Sequence, residues 1–160
     1  MYKYFNDTYN DNSSIKYYDG TIWSLGNISF KKQKGINLAL YRSYTLNPEP
    51  AENSDAEHKK LTDNILPLDT WHGSEWWAGW SSSQPQINIT LTLDESYITN
   101  VSMFALSRNK APSYVYYPNT MEVRTSLDGI NYQLQKTCNF ASEPEDTNGN
   151  GIAKFLSCIL

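Results

Sequence analysis

Four tryptophans fall within ten residues, in Trp71-His72-Gly73-Ser74-Glu75-Trp76-Trp77-Ala78-Gly79-Trp80. An exposed indole offers a flat apolar face. The C–H face of a sugar stacks on such a ring, while neighbouring polar side chains hydrogen-bond the hydroxyls. Trp80 directly precedes a strand-like segment and reads as a core ring. Four indoles beside Gly73 and Gly79 in a polar loop are hard to bury together. At least one of Trp71, Trp76 and Trp77 is therefore expected at the surface, and Trp71, His72, Trp76 and Trp77 are candidate ligand contacts. A second loop, Ser107 to Pro118, mixes donors with rings. Arg108 and Asn109 are candidates to hold sugar hydroxyls, and Tyr114 or Tyr116 to stack. The plainer alternative is that these tyrosines cover the edge of the fold.

Catalytic constellations are hard to assemble. Glycoside hydrolysis needs two carboxylates across a cleft, one with a raised pKa. The acids sit mainly in two loop clusters: Glu49, Glu52, Asp55 and Glu57, and then Glu143, Glu145 and Asp146. Neither lies at the end of a predicted strand beside an aromatic platform, so both read as solvated loops. A Ser or Cys nucleophile needs a positioned base, and the only histidines are His58 and His72. No nucleophile elbow, Gly-rich phosphate loop or zinc-ligand spacing is present. The reading is a non-enzyme.

Charge and composition narrow the partners. The chain has 160 residues, about one domain, with a net charge of −4. Nucleic-acid binding usually requires a basic face, and only Lys31, Lys32 and Lys34 cluster. No run approaches the ~18 apolar residues of a membrane span. The start, Met1 to Asp7, lacks the apolar core of a secretory signal. A domain of a longer extracellular or cell-surface chain, possessing other domains as partners, is the expectation. Asn-X-Ser/Thr triplets arise by chance in a chain this rich in those residues and carry no weight.

The elements that must position these residues are strands. Ile87 to Leu93 alternates apolar and polar residues strictly, the mark of a half-buried strand. Val101 to Ala105 and Met121 to Ser126 continue the pattern. Asp128-Gly129 is a hairpin turn leading to a return strand at Asn131 to Gln135. Ile152 to Leu160 reads as a last strand, and Ile22 to Phe30 and Ile36 to Tyr41 as early ones. No segment sustains a helical period, although Ala51 to Lys60 has room for a capped turn or two. Residues 1–35 are rich in Tyr, Asn and Asp. They read as an extension or the end of a preceding domain, with an edge hairpin near Tyr18 to Thr21. Residues 36–160 then form the sandwich. Cys138 and Cys158 both fall in strands. Two buried free thiols are the favoured reading, with pairing left open if those strands are neighbours.

The ordered set Arg42-Ser43-Tyr44-Thr45-Leu46-Asn47-Pro48, Lys60-Leu61-Thr62-Asp63-Asn64, Ala78-Gly79-Trp80, Gln86 to Leu91, Ile98 to Val101, Pro118 to Val123 and Ser126 to Tyr132 resembles a discoidin-like domain. This is the factor V/VIII C-terminal type, close to bacterial family 32 carbohydrate-binding modules. The resemblance implies an all-β, discoidin-like jelly-roll β-sandwich of antiparallel strands, a glycan or polysaccharide partner, and a structural calcium ion. Asp63 matches the calcium-ligand position; a turn-capping role is the alternative. Asn64 stands where the family has Gly, and Asn tolerates a left-handed backbone.

Overall fold

The computed structural model describes residues 2–4, 21–32, 35–51, 55–70, 75–81, 86–93, 97–111 and 113–160. Strands β1 (Tyr2–Tyr4), β2 (Thr21–Lys31), β3 (Tyr44–Asn47), β4 (Ala78–Ser81) and β5 (Asn88–Leu91) come first. They are followed by β6 (Asn100–Lys110), β7 (Ser113–Val115), β8 (Thr120–Thr125), β9 (Gln133–Asn139) and β10 (Ile152–Ile159). The described residues hold no α-helix, and none is long and apolar enough to cross a membrane.

Two sheets form, one in the order β3-β5-β1-β8-β9 and the other β10-β6-β2-β4, with β7 added beside β6. Every pairing is antiparallel. Both sheets feed one core. Leu25, Ile28, Phe30, Val101, Met103 and Leu156 come from one side, and Leu46, Ile89, Leu91, Met121 and Val123 from the other. The two-residue period makes this possible, because β5 and β8 bury alternate positions. The architecture is all-β and consistent with a β-sandwich.

Composition suggested a boundary near residue 35, which would leave β2 outside the sandwich. In the structure β2 lies between β6 and β4 and carries core residues. The hairpin expected near Tyr18 to Thr21 lies largely outside the described residues. Ile36 to Tyr41 is not a strand. Only Asn37 makes a bridge, to Lys31. The Asn37 side-chain oxygen accepts from the backbone N–H of Phe30 (2.9 Å) and Ala39 (3.1 Å), and Tyr41 has φ 58°. A side chain there replaces the ladder and turns the backbone. The 55–60 segment makes turns rather than helix.

The cysteines are paired, against the favoured thiol reading. Cys138 on β9 and Cys158 on β10 form a disulfide with Cα atoms 5.7 Å apart. The two strands are the edges of different sheets, stacked on the same side, and this adjacency requires the topology to be known. The bond fastens one sheet to the other.

Candidate functional site

The Asp55 to Ile65 segment is built around a buried carboxylate. Asp55 Oδ1 accepts from the backbone N–H of Lys59 (3.2 Å) and Lys60 (3.1 Å), and Oδ2 accepts from the Tyr44 hydroxyl. That hydroxyl in turn accepts from Leu61 N–H at 2.9 Å. Burial, then the Asp55 carboxylate, keep the Tyr44 phenol protonated far above its ordinary range. Leu61 is fully buried, and its carbonyl accepts from Ile28 N–H at 2.8 Å. The segment is thereby pinned to β3 and to β2.

β2 also sets the position of the tryptophans. Its register shifts between Leu25 and Asn27, at Gly26. A Cβ on Gly26 would lie 2.2 Å from Pro67 Cγ and 3.3 Å from Trp77 Cζ3, so only glycine lets Pro67 approach the strand. Trp77 is fully buried. Its ring stacks on Phe104 at 5.8 Å between centroids, and its indole N–H donates to the Asp69 carbonyl at 3.2 Å. Trp77 was expected as a ligand contact, but a ring sealed in this way has no face to offer a ligand. Trp80 is buried as expected, donating to the Pro48 carbonyl at 3.0 Å.

Trp76 is only partly buried and packs against the cluster of Trp77, Leu106 and Val115. It also lines an open cleft of about 610 Å³, together with Asp55, Glu57, Lys59, Lys60, Asp63, Ile65 and Glu75. Lys60 Nζ donates to the Trp77 carbonyl at 3.3 Å and so ties the Asp55 loop to the tryptophan segment. Burial lowers the Lys60 pKa, against the opposing pull of Asp55, Glu75 and Asp63. Glu57 is neutralised by Lys59 at 2.9 Å. Among the described residues, the Trp76 indole N–H and the Glu75 carboxylate make no hydrogen bond. A ring with free polar groups around it can stack a ligand and orient it.

Asp63 also belongs to this cleft. Its Oδ1 accepts from Ile65 N–H at 2.8 Å and from Asn27 Nδ2 at 3.4 Å. Burial, with the Asp55 charge adding to it, pushes its pKa above the ordinary value against the opposing pull of the Ile65 N–H and Lys60. Asn64 has φ 62°, the left-handed turn expected of it. N–H donors on the carboxylate are the chemistry of a turn cap, whereas a calcium shell is made of oxygens. Among the described residues no three acidic, histidine or cysteine side chains group as metal ligands.

The second candidate loop lies elsewhere. Arg108 pairs with Val115 and Asn109 with Tyr114 across the β6–β7 hairpin. Alternation puts Arg108 and Asn109 on opposite faces, so they do not converge on one ligand. Tyr114 shares the face of Asn109, and Tyr116 follows the strand, half-buried. None of the four lines the Trp76 cleft. The acids after β9 are not a solvated loop either. Glu145 Oε2 accepts from Ser107 Oγ at 2.9 Å and its Oε1 from Tyr117 N–H at 3.2 Å. Asp146 Oδ2 accepts from Asn109 N–H at 2.8 Å. They fasten the hairpin to the loop between β9 and β10. Trp71 and His72 lie outside the described residues.

Lys60 and Glu75 escaped the sequence reading, and Asp55 and Glu57 were assigned to solvent. A carboxylate directly before Trp76 was the available signal for Glu75. Nothing local places the Asp55 loop against Trp76. Comparison with protein-family models, with curated proteins and with solved structures returns no match.

Proposed function

We propose that this chain is a non-catalytic carbohydrate-binding module with the jelly-roll topology of discoidin-like domains. The observation that supports it most is the Trp76 cleft, where a pre-packed indole stands beside Asp63, Lys60 and Glu75. Pre-packing matters because a shallow sugar site gains little per contact and must avoid ordering costs. The family-like order of motifs supports the same reading. The disulfide favours an oxidising compartment and hence an extracellular or cell-surface setting within a longer chain. A broad glycan array followed by calorimetric titration tests it. Binding with affinity between about millimolar and micromolar, lost in Trp76→Ala, is expected. Retention of no saccharide across the array rejects it.

A second reading, protein interaction or adhesion, is favoured by the β8–β9 turn. Asp128 accepts from Ile130 N–H and Asn131 N–H, each at 2.8 Å, and the turn carries exposed Leu127 and Ile130. A stiff turn displaying two apolar side chains suits a partner surface. Attachment of protein-coated beads to cells, lost on changing Leu127 and Ile130 to Ser while glycan binding persists, would favour this reading.

A further inference from the structure

The charge of the cleft narrows the kind of glycan. Its wall carries four carboxylates, Asp55, Glu57, Asp63 and Glu75, against two lysines, Lys59 and Lys60. Asp55 is saturated by Tyr44 and the backbone N–H groups of Lys59 and Lys60, and Glu57 is paired with Lys59. Asp63 and Glu75 are left facing the single ammonium of Lys60, which is itself committed to the Trp77 carbonyl. Ile65 N–H and Asn27 Nδ2 both bond Oδ1 of the Asp63 carboxylate, and Asp63 itself lines the cleft. Trp76 lines the same cleft, and an indole face attracts cations as well as C–H groups. An uncharged sugar would use the ring and leave two desolvating carboxylates unanswered. A carboxylated or sulfated sugar would be repelled by them.

We propose that the cleft takes a glycan bearing free, protonated amino groups: a hexosamine unit whose ring stacks on Trp76 and whose ammonium is held between Glu75 and Asp63. The inference rests on the carbohydrate-binding reading above and specifies its ligand. The ammonium is a three-donor group, matched to carboxylate oxygens on either side.

Calorimetric titration with a glucosamine hexamer and with its fully N-acetylated counterpart tests this. The two share ring and linkage and differ in charge. The glucosamine oligomer is expected to bind about tenfold tighter, the size of one hydrogen bond to a charged group. That advantage should shrink as salt rises from about 0.05 M to about 0.5 M. Glu75 is exposed and makes no hydrogen bond among the described residues, so Glu75→Gln should fold normally and erase most of the preference. Asp63→Asn keeps the Oδ1 acceptor for Ile65 N–H and should do the same, whereas Trp76→Ala should weaken both ligands together. Equal or tighter binding of the acetylated oligomer overturns the inference and leaves the carbohydrate reading standing. An unchanged preference in Glu75→Gln does the same. Failure of the protein to bind any saccharide overturns both.

Discussion

The Tyr44 hydroxyl donates to the buried carboxylate of Asp55 and accepts from the backbone N–H of Leu61, joining β3 to the loop that walls the cleft. Tyr44→Phe keeps the ring and removes the link. It strands a carboxylate oxygen and a buried N–H, at a cost of about 3 kcal/mol. Chemical denaturation should report that loss. Glycan affinity should fall as well, since the Asp55 to Ile65 segment carries most of the wall.

The neighbouring tryptophans should separate cleanly. Trp77→Ala opens the cluster with Phe104 and Leu106 and should cost about 3–5 kcal/mol. Trp76→Ala should cost well under that and still abolish glycan binding. Melting curves beside titrations check the pair; equal stability losses would place both rings in the core.

Gly26→Ala should be strongly destabilising for its size. The new methyl would meet the Pro67 ring, and Trp77 behind it has no space to yield. A loss of about 1–3 kcal/mol is expected in urea denaturation.

Two carboxyls, Glu145 and Asp63, have pKa values raised chiefly by burial. Their folded state therefore favours the protonated form. This contribution is complete below the ordinary carboxyl range and disappears as pH climbs through the raised values. Glu145→Gln mimics the protonated acid, so the variant's Tm minus the native Tm should rise as pH goes from about 4 to about 7. A flat difference would show that Glu145 titrates alike in both states.

Asp63 as a turn cap predicts insensitivity to calcium. Chelation of protein equilibrated with calcium should leave Tm unchanged, while Asp63→Ala lowers stability by about 1 kcal/mol. A chelator-dependent fall in Tm that Asp63→Ala reproduces would instead make Asp63 a calcium ligand.

What could be read from the sequence was what period and turn chemistry encode. The alternation at Ile87 to Leu93 contains β5, and Asp128-Gly129 is the turn before β9. Asn64 adopts the left-handed backbone that its short amide tolerates. Composition misled at the N-terminal end, because a strand can sit centrally in a sheet while its neighbours in sequence are polar. It misled again at Ile36 to Tyr41, where one asparagine side chain competes with the ladder. Adjacent Trp76 and Trp77 are chemically alike. Which one turns inward depends on Gly26 and Pro67, residues too distant in sequence to be read with them. The cleft was illegible for the same reason: Asp55 and Trp76 meet only after the core has formed.

The bond between Cys138 and Cys158 has a consequence for a protein exposed to proteases. β9 buries little of itself, and the loop from Ala141 to Gly151 runs across the surface between the two cysteines. A cut in that loop severs the backbone but not the molecule, since residues 1–138 and the final strand stay joined through sulfur. Closing a loop of this length constrains the unfolded chain by about 3 kcal/mol, and the nicked protein forfeits that constraint without losing the cross-link. Digestion would thus yield two bands under reducing electrophoresis and one without reductant, from a species that still holds its two sheets together.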